Sequence, residues 1–446
     1  MSKEVKFVTL GCKVNQNETN AKAQKFLEKG YQILEENDEN VEEKPDVCII
    51  NTCTVTNMSD RKSRQMLRRM KEKNPDTVVV AVGCYAQVAK EELSKIPEID
   101  LVLGNNEKVE FVKYVEEYLK ENVKNIDIED VMQSRKFSDF GNITFSEKTR
   151  AVIKIQDGCD RISTYSKIPY ARGRVRSRKP ESIISEISEI AKKGIKEVVI
   201  TGIHIASYGK DYAMSKDEKI KNYRLIDLLE KINEIEGIER IRLGSIEPLL
   251  ITEEFVQRLV KLEKICEQFH LSLQSGCDET LKRMNRRYTT QQFEEIVKRL
   301  RKAYDNVNLT TDIIVGFPGE TEEEFTKTYE FLKEIKFYKM HVFKYSPRKG
   351  TKAAVMKNQV PGDIKEERSK KLIELSNENE FQYNSTYIGK NVKVLFEEEK
   401  VGVYKGHTQN YIKVYCKSNE MLDNKIKTVN CVKVEKDYII GNVIEM

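Results

Sequence analysis

Short apolar runs alternate with charged, amphipathic stretches from the start of the chain. Val5–Leu10 reads as a strand ending in Gly11-Cys12, and Asn17–Lys29 has helical spacing that stops near Gly30. The unit then repeats. Strand Asp46–Ile50 runs into Asn51-Thr52-Cys53 and the basic helix Asp60–Lys73; strand Thr77–Val82 runs into Gly83-Cys84, with helix Val109–Leu119 beyond. Such alternation predicts an open, mostly parallel sheet, a Rossmann-like α/β domain over residues 1–120. The charged stretch 121–148 reads as a linker.

From Ala151 the alternation restarts. Strands are predicted at Val152–Gln156, Glu197–Thr201, Ile238–Leu243, Phe269–Leu273, Asn308–Val315 and His341–Tyr345, separated by helical patterns such as Glu181–Lys193. This succession over 149–383, closed by the charged helix Asp363–Tyr383, predicts a β/α barrel, full or partial. The tail changes character. Val392–Phe396, Tyr411–Tyr415 and Lys425–Val434 are alternating strands with Gly and Asn turns, and predict a small OB-like β-barrel over 384–446.

Composition narrows the class. A third of the residues are charged and 39% are hydrophobic, as in a soluble globular protein. The net charge of +5 is too small to indicate nucleic-acid binding, so any basic surface must be local. No apolar run approaches the roughly 18 residues of a membrane span, and the N-terminus lacks a signal-peptide core; a cytoplasmic protein without membrane contact is expected. Nine cysteines in such a chain point to free thiols or metal ligands rather than disulfides. The four histidines show no spacing typical of zinc.

Cys12, Cys53 and Cys84 each fall just past the C-terminal end of a predicted parallel strand, the edge where α/β sheets bind ligands. Three thiols brought to one edge can ligate three irons of a 4Fe–4S cluster and leave the fourth open. The alternative is that they fill gaps in the core, which is how Cys48, inside its strand, is read.

Residues 153–173 read Ile-Lys-Ile-Gln-Asp-Gly-Cys-Asp-Arg-Ile-Ser-Thr-Tyr-Ser-Lys-Ile-Pro-Tyr-Ala-Arg-Gly. This resembles the radical S-adenosylmethionine loop of the tRNA methylthiotransferase family, whose cysteines are spaced C-x3-C-x2-C. Cys159, Ser163 and Ser166 fall on that spacing, with Tyr165 at the family's aromatic position. Two of the three cluster ligands are thus serines. A thiol ionises near a pKa of about 8.5 and offers soft sulfur, whereas a hydroxyl is far less acidic and hard. Ile162 and Lys167 also depart from the family's aromatic and apolar residues. No stable cluster is expected here, so one of the family's two 4Fe–4S clusters is expected in this chain, with impaired or absent activity.

The resemblance covers essentially the whole chain. Thr9–Asn15 and Asn51–Val55 look like the family's N-terminal cluster motifs. Thr201-Gly202-Ile203-His204, Ser245-Ile246-Glu247-Pro248 and His270–Cys277 resemble the branch acting on threonylcarbamoyl-adenosine, and Asp312–Thr321 its late strand-and-loop motif. The resemblance implies methylthiolation at C2 of N6-threonylcarbamoyladenosine beside the tRNA anticodon, with S-adenosyl-L-methionine, an electron donor and a sulfur source. Isopentenyl-adenosine, a ribosomal protein, or a non-catalytic tRNA-binding or iron–sulfur role are the alternatives. Tyr165, Gly202, Ser245, Gln274 and Gly316 are the expected cofactor-binding residues. His204 has either a functional role or that of a satisfied barrel-end histidine; Cys277 is read as packing.

The tail resembles the TRAM domain of tRNA-modifying enzymes. There His407 and Tyr411 are candidates for RNA contact, Tyr411 by stacking on a base; burial in a small barrel is the competing reading. Arg172, Arg174, Arg176 and Arg178 alternate with Gly173, Val175 and Ser177, so an extended chain would align all four toward phosphates. Arg61, Lys62, Arg64, Arg68, Arg69, Lys71 and Lys73 lie on the second predicted helix, as a basic face or merely a solvated one.

Overall fold

The computed structural model describes residues 3–34, 44–106, 110–122, 128–144 and 149–444. The first strands are β1 (Glu4–Thr9), β2 (Gln32–Leu34), β3 (Val47–Thr52), β4 (Val78–Gly83) and β5 (Leu101–Val102). They form one sheet in the order β2-β1-β3-β4-β5, parallel throughout. All six residues of β3 are buried, the mark of a parallel strand covered on both faces. Helices α1 (Lys13–Glu28) and α4 (Phe111–Glu121) supply Phe26, Phe111 and Val115 to one face. Helices α2 (Asn57–Lys73) and α3 (Cys84–Val88) supply Leu67 and Tyr85 to the other. Cys48 is fully buried in this second core, as its in-strand position predicts.

The central strands are β6 (Arg150–Asp157), β7 (Arg176–Ser177), β8 (Glu197–Gly202), β9 (Arg240–Leu243), β10 (Gln268–Gln274), β11 (Asn308–Val315) and β12 (Lys339–Lys344). β6, β8 and β9 pair in parallel, as do β10, β11 and β12; single bridges at Ile241–Ile265 and Ile246–Leu271 join the two groups. The six parallel strands therefore make a partial barrel. Among the described residues no pairing returns β12 to β6, whose other edge carries the short antiparallel β7. The short helix α5 (Ile168–Arg172) begins with Pro169 in its first turn, where proline's fixed φ is pre-set for helix. The long helix α6 (Gly362–Ser385) packs along β12.

The tail closes into a barrel of β13 (Asn391–Lys400), β14 (Val403–Thr408), β15 (Lys413–Lys417), β16 (Ile426–Glu435) and β17 (Tyr438–Val443), in the order β13-β14-β15-β17-β16. Closure leaves no free sheet edge. Val394, Phe396, Val414, Val429 and Ile439 fill its interior. Strands β14 and β17 do not stand out in the sequence, because Gly406 and Gly441 interrupt their alternation. Among the described residues no helix is long and apolar enough to cross a membrane.

Candidate cluster and cofactor site

Cys12 is the N-cap of α1, Cys53 follows β3, and Cys84 opens α3 directly after β4. All three loops meet at one sheet edge. A Cβ placed on Gly11 would lie 3.2 Å from Cys53 Cβ, so the glycine lets two of the loops approach. Cys12 is exposed, Cys53 half-buried and Cys84 buried. Burial pushes the Cys84 thiol up to about 11, opposed by the Arg172 guanidinium and reinforced by Cys12 and Cys53. The three thiols therefore share one electrostatic environment. Their sulfurs do not fall within the 4.8 Å of one another that a single ion would need, and a cluster spreads its ligands wider.

Arg172, fully buried, arrives at this edge from the central domain. Its Nε donates to Cys84 Sγ (3.0 Å), Nη1 to Glu18 Oε1 (2.5 Å) and Nη2 to Asn15 Oδ1 (3.1 Å). Lys154 Nζ joins Glu18 Oε1 and Asp157 Oδ2, each at 2.6 Å. The buried cations Lys22, Lys154, Arg172 and Arg176 outnumber the buried carboxylates Glu18 and Asp157. Buried charges are ordinarily compensated, and this positive surplus suits thiolates carrying an anionic cluster. It also lowers Lys22 to about 8, with burial the larger cause.

At the C-terminal ends of the barrel strands, a cavity of about 320 Å³ is lined by Cys159, Ser163, Tyr165, Ser166, Ser245 and Gln274 among others. The loop that carries the first four is set by Gly158, at φ +73°; a Cβ there would meet Arg174 O at 1.8 Å. Cys159 Sγ accepts from Arg161 N (3.3 Å), and Ser166 Oγ accepts from Ile168 N (3.1 Å). Tyr165 Oη donates to Gln274 Oε1 (3.0 Å) and accepts from Arg286 Nη2 (2.7 Å). Gln274 has φ +76°, a left-handed conformation at a strand end that stores local strain. At the three cluster-ligand positions the loop offers one thiol and two alcohols, a donor set that does not fit a three-thiolate iron–sulfur cluster.

The cavity also holds residues that motif spacing does not single out. Arg286 is half-buried, with its Nε buried and unpartnered, and Nη1 lies 3.7 Å from Glu247 Oε2. Burial works to raise Glu247, but nearby His204 and Arg286 bring it below the ordinary carboxylate range. His204 Nδ1 is hydrogen-bonded to Ser207 (2.8 Å), and Nε2 lies 3.6 Å from Glu247. Asp312 completes the wall. The only sequence hint of this basic side is Arg286-Arg287 in a polar turn.

Several expected positions lie elsewhere. Gly202 and Gly316 are not among the lining residues: Ile203 and His204 line the cavity in place of their neighbour Gly202, and the Gly316 amide already donates to Glu320 Oε1 (2.9 Å). The arginines 172–178 form no common face, because α5 and a Gly173 turn replace the extended chain that the alternation assumes. Arg172, Arg176 and Arg178 are buried, Arg178 pairing with Glu186 (2.8 Å) and Asp139 (3.1 Å); only Arg174 is exposed. His407 and Tyr411 are likewise turned inward. Their rings stack at 4.4 Å, Arg242 covers Tyr411 at 4.5 Å, and His407 Nδ1 pairs with Glu397 (2.9 Å). Tyr411, half-buried, therefore spends its ring on His407 and Arg242 within the protein. Cys277 packs in the core as expected, its Sγ 2.9 Å from Glu279.

Residues 153–332 match the radical SAM superfamily, and residues 4–104 match the uncharacterized protein family UPF0004. Over 99% of this chain and 96% of its own length, the threonylcarbamoyladenosine tRNA methylthiotransferase MtaB of Bacillus subtilis is 40% identical. The Aquifex aeolicus protein of the same name is 41% identical over 92% of this chain and 96% of that protein. A Clostridium botulinum tRNA-2-methylthio-N(6)-dimethylallyladenosine synthase is 36% identical over 87% and 85%. Among solved structures, the radical S-adenosylmethionine methyltransferase TsrM of Kitasatospora setae aligns with a TM-score of 0.53 at 15% identity, covering 80% of this chain and 77% of that one. At that identity the likeness concerns the fold alone. On full-length identity to its relatives, the chain belongs to the radical SAM tRNA methylthiotransferase family.

Proposed function

We propose that this scaffold serves methylthiolation at C2 of N6-threonylcarbamoyladenosine in tRNA. The observation that carries the reading is the convergence of the Cys159–Ser166 loop with Tyr165, Ser245 and Gln274 on one cavity at the barrel mouth, where β/α enzymes do their chemistry. Cys12, Cys53 and Cys84 would hold a 4Fe–4S cluster, which would bind the sulfur to be inserted once an external source had delivered it. Around it, Arg172 compensates Glu18 and fixes Cys84 by hydrogen bonding. In the cavity, Arg286, held by its bond to Tyr165, would offer donors to the carboxylate of S-adenosylmethionine, while Ser245, Ser272 and Gln274 would offer neutral partners for its ribose.

Ser163 and Ser166 support a further part of the reading. As written, the loop offers one thiolate, so an external electron donor has no cluster through which to reach the cofactor. The chain is then an inert scaffold that keeps the N-terminal cluster site. The test is anaerobic 5′-deoxyadenosine formation with dithionite, comparing the parent, Ser163→Cys, Ser166→Cys and the double variant. The parent and single variants should be silent, and the double variant should gain roughly four irons and turn over. Robust turnover by the parent overturns the serine argument. Nucleoside analysis of tRNA treated with the double variant then separates threonylcarbamoyl-adenosine from isopentenyl-adenosine as target.

A further inference from the structure

The last three strands of the partial barrel carry a group of donors that contains no cysteine. His270 on β10, Asp312 on β11 and His341 on β12 occupy three adjacent parallel strands, with Asp312 directly opposite His341 in register. One ligand atom from each lies within 4.8 Å of the others, and among the described residues no other such group of three histidine, cysteine or carboxylate donors occurs. His270 Nε2 is 3.2 Å from Asp312 Oδ2, and the two imidazole centroids are 5.7 Å apart.

Their surroundings resemble a metal site. Thr310 Oγ1 lies 3.0 Å from His270 Nδ1 and is itself hydrogen-bonded by Gln268 (3.3 Å), so the ring is held with Nε2 toward Asp312. Such an outer partner is the usual way a ligating histidine is oriented. Neither ring nitrogen of His341 takes a hydrogen bond among the described residues. Along β10 the core takes Leu271 and Leu273, which leaves His270 and Ser272 on the inner face. Ser272 and Asp312 both border the cavity.

We propose that His270, Asp312 and His341 bind one divalent transition-metal ion of the zinc, cobalt or ferrous type. Two imidazoles and one carboxylate are the donors such ions select, whereas magnesium and calcium prefer all-oxygen sets. Three protein ligands leave at least one coordination position open. Because Asp312 borders the cavity, that position takes a water or a carboxylate oxygen entering from the cavity side. The site is independent of the iron–sulfur positions, since no thiol belongs to it.

The probe is Co2+ alone, titrated anaerobically into the full-length protein before any iron is added. Thiolates also bind Co2+ but give intense near-ultraviolet charge-transfer bands, while an imidazole–carboxylate site gives only weak visible ones. The titration is therefore repeated in a protein carrying Cys12→Ala, Cys53→Ala, Cys84→Ala and Cys159→Ala. That protein should retain one equivalent of Co2+ with visible bands only. Adding His341→Ala, at an exposed position that leaves the fold intact, should weaken binding by about tenfold or more; Asp312→Asn should do the same. Absence of Co2+ binding in the protein without these four thiols overturns the proposal. So does binding whose affinity and spectrum are unmoved by both His341→Ala and Asp312→Asn.

Discussion

Arg172 shows how much a single side chain carries here. It is fully buried and touches Cys84, Glu18 and Asn15 at once. Replacing it with methionine keeps the volume but withdraws a cation paired with Glu18, while Lys154 remains paired with it. We expect a loss of about 3–5 kcal/mol, the cost of breaking a buried pair from one side, measured by urea unfolding of the iron-free protein. Arg172→Lys keeps the charge but not the three-way fork, so its loss should be smaller. The same residue bears on metal loading. The Cys84 thiol, raised to about 11 chiefly by burial, is protonated at neutral pH and must release its proton to a metal. Iron incorporation should therefore rise with pH between neutral and mildly alkaline reconstitution. Arg172→Met, which removes the charge that favours the thiolate, should load less at every pH. Gly158 makes a second residue-scale test. Gly158→Ala drives a Cβ into the Arg174 carbonyl, and the cavity loop should shift, with marked destabilisation on thermal melting while the N-terminal thiols still bind metal.

At the level of elements, the joint between the C-terminal barrel and the central domain is built from β14 and the turn after it. Arg240 donates to His407 O (2.9 Å) and Lys393 O (3.0 Å), and Arg242 donates to Gln409 O (3.1 Å) while paired with Glu197 (2.7 Å). His407 is held below its ordinary 6.5, mainly by burial and against the pull of Glu397. Below pH 6.5 the unfolded chain takes up the proton first, so the stability given by His407 is present above 6.5 and drains away as pH falls toward its folded value. Melting temperatures of the parent should drop more between pH 7 and 5.5 than those of His407→Gln. These elements also show where sequence reading succeeds and fails. The strands β3, β4 and β8 are legible because parallel strands buried on both faces read as nearly continuous apolar runs. The arginine row misleads because alternation indicates one face only if the chain is extended, and Pro169 has already started a helix. On α2, by contrast, Arg61, Lys62, Arg68 and Arg69 are exposed, with Arg64 held by Tyr85 and Glu92. Arg68→Glu with Arg69→Glu should weaken tRNA binding and lower its salt slope by about one for each phosphate no longer neutralised.

Across the whole molecule, the seams between domains are the part the sequence hides most completely. Glu18 and Arg172 are 154 residues apart, and Asp60 and Arg348 are 288 apart, so no local pattern connects them. Arg348 enters the N-terminal domain as Arg172 does, donating to Thr54 Oγ1 (2.7 Å) and Asp60 Oδ2 (2.6 Å) just beyond Cys53. The tail's joint follows the same plan, so removing residues after Tyr383 would expose Arg240 and Arg242 as well as delete any RNA surface. A truncated protein is therefore expected to melt lower than the parent, and its tRNA affinity is interpretable only alongside that melting curve. Each seam is closed by a guanidinium that is costly to withdraw. Swinging the N-terminal domain away breaks the buried Glu18–Arg172 and Asp60–Arg348 pairs, and swinging the tail away breaks the bonds of Arg240 and Arg242 to its carbonyls, several charge-assisted hydrogen bonds at about 1.5–3 kcal/mol each. Flipping a nucleotide out of a loop costs only a few kcal/mol. In the encounter with RNA the protein is thus the rigid partner, and the adenosine must leave its own stack to reach the barrel mouth.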